Sequence, residues 1–336
     1  MPRKRKSGPP MKKEEHAMHH QILPIPRKPY ALNWLPERLV VSHYERDYGG
    51  AVRTLNGLRD RLSALDPSSV TPAEMRALKR EELSAVGSVI LHELYFINLG
   101  GDGKLPAVVT AALETNFGGV HQWRREFAAA ARALAGGSGW VVLNYSPYDG
   151  RLHNNIAIDH SHAMVGAVPI LVLDMYEHAY HQEFGANAAA YVDAFMRVIE
   201  WAVVAERLIE ATGGGPRRDA GTGREAPPSI SVEELGALMQ DERQVQLVDA
   251  RPANYVSKDP DTMPSAVWRD PERVDEWCAQ LSPETPVFVY CAYGFEVGCR
   301  VTTVLRERGF DARYIRGGLA AWYGAGGARA VPRREE

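Results

Sequence analysis

The chain has 336 residues, 45% of them hydrophobic and 24% charged, with a formal net charge of -3. That length exceeds one comfortable core and predicts two domains with tails. The near-neutral balance gives no reason to expect nucleic acid as a partner, and no apolar run approaches the ~18 residues that read as a bilayer span, so no membrane partner is expected either.

Residues 1–22 open with MPRKRKSGPPMKKEEH, which is charged but lacks the apolar core of a secretory signal; they read as a disordered basic tail. PERLVVSHYERDYGGAVRTLNGLRDRL (36–62) and TPAEMRALKREELSAVGSVILHELYFINL (71–99) carry apolar residues at three- and four-residue spacing and predict two long helices. Thr71, Pro72 and Glu74 suit the start of the second. Shorter helices are expected over 105–117 and 120–136. After GGSG the pattern changes to short β-like runs, WVVLNYS (140–146), LHNNIAID (152–159) and AVPILVLD (167–174), before a final helix from about Asn187 to Leu208. The segment TGGGPRRDAGTGREAPPS has no apolar periodicity, so residues 212–228 are expected to be a flexible linker. Beyond it SVEELGALMQ, QVQLVDAR, PVFVYCA, GCRVTTVLRERG and DARYIRG alternate helix, strand, strand, helix and strand, which predicts a small parallel α/β sheet over 229–330. The fold class is therefore α+β: a helical hairpin plus an α/β domain over 23–211, then a small α/β parallel-sheet domain.

The ligand-type residues divide along the same line. All eleven His lie at or before His181, and the three Cys (Cys278, Cys291, Cys299) all lie after position 277 without a CxxC pair. The cysteine usage argues against a disulfide scaffold or a thiolate zinc site and fits a reducing compartment, so the cytoplasm is the expected location. Imidazole and carboxylate groups favour iron or manganese, and the first domain offers His43, His92, Asp174 and His178 on separate segments. In LDMYEHAYHQEFG, Asp174 and His178 face one centre if the segment is helical, or if Asp174 ends a strand and His178 opens the next turn. Spacing alone equally allows His92 to be a satisfied core histidine, and Asp174 and Glu177 to be first-turn acids.

The surrounding residues carry a resemblance. PYAL, SHY, LHELYFINL, FGGVHQWRREFAAAARALAGGSGWVVL and LVLDMYEHAYHQEFGANAAAYVDAFMRVIEWAVVAERL together resemble the iron/manganese superoxide dismutase family. The resemblance implies one iron or manganese per chain held by His43, His92, Asp174 and His178, superoxide as substrate, and a homodimer or dimer of dimers bridged by Glu177. The surround departs from the family pattern. Asp47 and Ala51 stand where a His and a Tyr line the substrate funnel, Ser88 stands at one of the usual glutamine positions, and Tyr176, Phe96 and His181 replace a Trp, a Trp and a Tyr. His160 or His162 is expected to take over the contact to metal-bound solvent, with Tyr176 and Glu177 completing the surround. Asp47 and His181 form a candidate acid–histidine pair at the dimer seam.

In the second domain, VFVYCAYGFEVGCRVTTVL sets Cys291 between an apolar strand and a helix, where backbone N–H groups and a helix N-terminus stabilise a sulfur anion. A buried structural Cys is the plain alternative, and is preferred for Cys278 and Cys299. LVDARPANY, MPSAVWRDP, VYCAYGFEVGCR and RYIRGGLAAW resemble a rhodanese-like domain. That resemblance implies a catalytic Cys291 that accepts sulfur from a sulfane-sulfur donor and passes it to a thiol acceptor. Glu296 occupies a position often basic in thiosulfate-using members, which disfavours an anionic donor, and Arg300 or Arg251 is expected to contact the sulfur-borne anion. The leading reading is a superoxide dismutase, an oxidoreductase, fused to a persulfide-carrying sulfurtransferase domain. The alternatives are a remodelled metal site acting on a sulfur or other small substrate, and a non-catalytic metal-bearing dimer scaffold with a sulfur-binding module.

Overall fold

A computed structural model describes residues 19–213, 227–241 and 244–331. The MPRKRK run and the central part of the expected linker lie outside the described residues. The first long helix is a composite rod: α1 (Glu37–Ser42), a π-helical stretch (His43–Tyr48) and α2 (Gly49–Ala64). A uniform 3.6-residue helix was the expectation. The π turn shifts the helical phase locally and buries His43, Tyr44 and Tyr48, and π turns of this kind are frequent at functional sites. α3 (Pro72–Ile97) packs against α2. It starts as predicted, with Pro72 at the first turn and Thr71 Oγ1 accepting the Glu74 N–H at 3.2 Å.

Two further helices, α4 (Ala107–Phe117) and α5 (Val120–Ala133), lead into the strands β1 (Trp140–Ser146), β2 (Arg151–Ala157) and β3 (Val168–Asp174), which form an antiparallel sheet in the order β2-β1-β3. Register sets Trp140 opposite Asp174. Then come α6 (His181–Phe184), α7 (Ala188–Val198) and α8 (Trp201–Ala211). A single helix was expected over the last two, but Ile199 and Glu200 leave the helix to bond across the fold. Glu200 N–H donates to Asn98 O at 2.7 Å, and the N–H groups of Gly100 and Gly101 donate to Val198 O. A Cβ on Gly101 would lie 1.9 Å from Ile199 O, so only glycine admits this crossing.

The second unit contains β4 (Ser229–Ile230), α9 (Val232–Gln240), β5 (Gln246–Asp249), α10 (Ala253–Val256), β6 (Val267–Trp268), α11 (Val274–Trp277), β7 (Val287–Tyr290), α12 (Glu296–Glu307), β8 (Ala312–Ile315) and α13 (Gly318–Gly324). Its strands form a parallel sheet ordered β4-β8-β7-β5-β6, as the alternating pattern predicts. Two-residue β4 and β6 are too short to leave a periodic signal. α13 is buried on every side, so it shows no polar face by which to recognise it.

The two units share one continuous apolar core. α13 meets the first rod so closely that a Cβ on Gly49 would lie 2.3 Å from Gly324 O. Residues 19–22, grouped with the tail in the sequence reading, are held in this junction. His20 N–H donates to Asn56 Oδ1 at 2.7 Å, Ile22 N–H donates to Glu233 Oε1 at 3.0 Å, and Ile22 is buried. Among the described residues no helix is long and apolar enough to cross a membrane.

Candidate metal centre and sulfur site

Four ligand-type groups converge between the helical rod, α3 and the end of β3. His43 opens the π turn, His92 lies on α3, Asp174 ends β3, and His178 sits in a 3-10 turn over Glu177–Ala179. The segment around Asp174 is therefore strand then turn, and the continuous metal helix is not formed. Tyr176 N–H caps Asp174 Oδ1 at 2.8 Å, which closes the turn and aims Oδ2 at the histidines. Nε2 of His43 and of His178 each lie 3.1 Å from Asp174 Oδ2, and Nε2 of His92 lies 3.7 Å away. One ligand atom from each of the four residues falls within 4.8 Å of every other.

Three of the four groups are buried: Asp174 is 0% exposed, and His43 and His92 are 1% exposed. His92 Nδ1–H donates to Ser88 O at 2.7 Å, which leaves its Nε2 lone pair pointing inward. Neither His43 Nε2 nor His92 Nε2 has a hydrogen-bond partner, although Asp174 Oδ2 is close to both. An unpartnered polar atom in such a place costs ~1–3 kcal/mol, and two of them beside a carboxylate are what a cation would resolve. The outer N–H to a backbone carbonyl is the usual bracing of a metal-bound imidazole. The donor set fits iron or manganese.

Electrostatics agree with that fit. Burial and the neighbouring His43 push His92 down to about 3, and burial pushes His43 down as well, so both favour the neutral, ligating form. Burial alone would raise Asp174, but the hydrogen bond from His178 and the nearby His178 and His43 rings prevail and hold its carboxyl well below the usual range. Burial lowers His178, and the Asp174 and Asp47 carboxylates more than offset it, raising the imidazole.

The surround separates the expected residues. Trp140 Nε1–H donates to His160 Nδ1 at 3.0 Å, and the His160 ring stacks on Tyr176 at 4.7 Å, which in turn stacks on His178 at 5.4 Å. His160 is thus beside the centre, whereas His162 lies outward, 3.9 Å from Asp159. Gly87 makes this possible, because a Cβ there would fall 1.9 Å from His160 O; the glycine inside a helical pattern was the overlooked signal. Glu177 is exposed. Asp47 faces His178 of its own chain, with Oδ1 3.5 Å from Nδ1. Asp47, Ala51, Ser88, His92, His160 and His178 border a cavity of about 240 Å³ that opens outward.

Cys291, 6% exposed, directly follows β7, ahead of α12. Among the described residues, none of the N–H groups of 292–298 donates to a backbone carbonyl. A Cβ on Gly298 would be 3.7 Å from Cys291 Sγ. The two arginines are committed elsewhere. Arg251 is clamped on Asp249, with Nη2 2.6 Å from Oδ2, and Arg300 Nη2 lies 2.5 Å from Glu272. A cation from the N-terminal segment reaches this loop: Lys28 Nζ lies 3.1 Å from Glu296 and 5.9 Å above the Phe295 ring. Nothing in the spacing of the sequence joins residue 28 to residue 296.

Three imidazoles and one carboxylate on a helical rod and an adjoining antiparallel sheet define a mononuclear metal site. Comparison with known proteins agrees. Residues 106–207 match the family model described as iron/manganese superoxide dismutases, C-terminal domain, and residues 231–325 match that of the rhodanese-like domain. The chain is 50% identical over 194 residues to a superoxide dismutase [Fe] of Cupriavidus metallidurans, covering 58% of this chain and 98% of that protein. It is 32% identical over 192 residues to the superoxide dismutase [Fe] of Aquifex pyrophilus (55% and 89% covered), and 30% identical over 199 residues to superoxide dismutase [Mn] 2 of Haloferax volcanii (58% and 98% covered). The chain belongs to the iron/manganese superoxide dismutase family and carries a rhodanese-like domain C-terminal to that region.

Proposed function

We propose that this protein dismutes superoxide to oxygen and hydrogen peroxide at one iron or manganese per chain, and that Cys291 carries a persulfide. The observation that carries the first half is the convergence of three Nε2 atoms on Asp174 Oδ2, with two of them unpartnered. His43, His92, Asp174 and His178 would hold the metal, which when bound alternates between two oxidation states so that one superoxide is oxidised and another reduced. The chain's own residues do the rest. His92 is oriented by its bond to Ser88 O, and His178 by Asp47 and the Tyr176 stack. His160, with Nδ1 occupied by Trp140, has Nε2 left to handle a proton at the cavity floor. Protons must reach the site because each turnover consumes two of them.

The free amide groups around Cys291 support sulfur carriage, since they stabilise the anionic sulfur of a persulfide. The donor would be a sulfane-sulfur compound and the acceptor a thiol. The metal domain is assigned to residues 23–211 and the sulfur domain to 229–330, the pair working as a dimer in the cytoplasm, with exposed Glu177 reaching the partner chain. Metal analysis with a superoxide assay tests the first half: about one iron or manganese per chain with activity is expected, and both should fall in His178→Ala. Metal without turnover would refute it. Mass spectrometry after exposure to a sulfane donor tests the second, with Cys291→Ser as control.

A further inference from the structure

The cavity of about 240 Å³ that opens onto the metal centre has an acidic entrance. On α3 its wall is Glu81, Ser84, Ala85, Ser88 and His92, and steps of three and four residues keep such a row on one face of a helix. Glu81 is exposed and His92 is 1% exposed. The row therefore runs from solvent to the floor, over about 16 Å at the ~1.5 Å rise of each helical residue. The rod supplies the remaining helical wall with Asp47, Ala51 and Thr54.

Two carboxylates thus border the way in, one at the mouth and one beside His178. Among the described residues no lysine or arginine lines the cavity, and neither carboxylate is paired with one; Asp47 faces His178. The hydroxyls of Thr54, Ser84 and Ser88 are neutral. The arrangement is unexpected for a centre whose substrate is an anion. A metal ion draws anions by its positive charge, but Asp174 offsets one unit of that charge, and Asp47 and Glu81 oppose the rest along the approach. At about 8 Å in water-like surroundings and low salt, one charge changes the local concentration of another by about two- to threefold. Two such charges deplete a monoanion about sixfold. A dianion feels twice the energy, so its depletion is the square, about 35-fold.

We propose that Glu81, together with Asp47, determines specificity at this entrance as a charge filter, slowing small monoanions modestly and turning away multiply charged ones such as phosphate. The inference rests on the dismutation reading above for the identity of the substrate. A neutral entrance would pass superoxide faster and would pass competing polyvalent anions faster still. The filter gives up part of the encounter rate for a centre that such anions do not occupy.

The iron-loaded full chain tests this, with azide as a monoanion probe whose binding to the ferric protein is read by absorbance. In wild type, azide should bind more tightly as ionic strength rises from about 0.01 to about 0.2 M, because salt screens a repulsion. Glu81→Gln, an exposed exchange between two good helix formers, should tighten azide about two- to threefold at low salt, and Glu81→Lys about sixfold. Both differences should close at high salt. Glu114→Gln removes the same charge from α4, outside this cavity, and should leave azide binding unchanged. The kcat/KM for superoxide should follow the same order. Phosphate at pH 8, mostly a dianion, should compete with azide in Glu81→Lys and not in wild type. Equal azide affinity in wild type and Glu81→Gln at low salt, or weakening in wild type as salt rises, overturns the proposal. Absence of phosphate competition in Glu81→Lys overturns the discrimination between charges. If azide behaves as expected but superoxide is not consumed, the dismutation reading fails and the filter stands. A chain that takes up no iron overturns both.

Discussion

Replacing Asp47 should loosen the metal without unfolding the chain. His178 offers Nε2 to the centre, so its Nδ1–H needs an acceptor to fix the ring, and the carboxylate 3.5 Å away is Asp47. That separation exceeds the roughly 2.7–3.2 Å of a well-formed bond, and the two side chains are 27% and 29% exposed. The contact therefore belongs at the bottom of the range for bonds to charged groups, about 1.5 kcal/mol, which is about tenfold in affinity. Asp47→Ala should show that loss in a competition between the protein and a chelator of graded strength, read as metal per chain. Asp47→Asn, whose amide oxygen still accepts, should fall between it and wild type. The electron paramagnetic resonance signal of the ferric protein should also shift, because ring orientation alters the ligand field. Unchanged retention in both variants, with loss in Glu177→Ala, would refute the reasoning, because His178 would then be braced from outside its own chain.

Gly87→Ala should cost about 1–3 kcal/mol in chemical denaturation, because its Cβ would collide with His160 O; an unchanged midpoint would mean that His160 is not held on α3. Glu37→Ala removes the acceptor shared by Tyr255 and Tyr293, so limited proteolysis should cut between the two units faster than in wild type. Metal-free protein should lose stability as pH falls through about 6.5 toward 3. In that window the unfolded His92 binds a proton that the folded one, pushed down to about 3, refuses. Above pH 7 both forms are neutral and this contribution is flat. A thermal-melting series on chelated protein checks the slope, and a His92→Gln variant should flatten it. Restoring iron or manganese should raise the melting temperature of wild type but not of His178→Ala.

Much of the framework could be read from periodicity and punctuation, because those features report local energetics. Thr71 and Pro72 mark a helix start by satisfying one orphan N–H and lacking another, and the structure begins α3 there. The ligand residues were legible for a different reason: their types announce chemistry, and the motifs around Asp174 and His178 narrow it to a family. What escaped depends on residues distant in sequence. The break at Ile199 and the docking of residue 22 on Glu233 are each fixed by a partner far along the chain, and the π turn at His43 packs against α13. The arginines expected at the sulfur site illustrate the limit. Charge and proximity in sequence nominated Arg251 and Arg300, but each lies next to a carboxylate, and Lys28, distant in sequence, pairs with Glu296 at the loop's end.

The junction between the units constrains how the two chemistries can be related. Side chains separating two surfaces usually leave room for them to slide, but here backbone meets backbone at Gly49 and Gly324, and one apolar core runs through both. The rod that contributes His43 to the metal centre contributes Glu37, two turns earlier, to the hydroxyls of Tyr255 and Tyr293 beside the Cys291 loop. A displacement of that loop on taking up sulfur would therefore pull on Glu37, and through α1 on the π turn that aims His43. Coupling of this kind needs no contact between the substrates, only an element with two arrangements that both sites bias. A change in the metal's spectrum when Cys291 is loaded, lost in Glu37→Gln, is the signature expected of it. An identical spectrum in loaded and unloaded protein would mean that the rod is rigid, and that the two sites share a core without sharing a state.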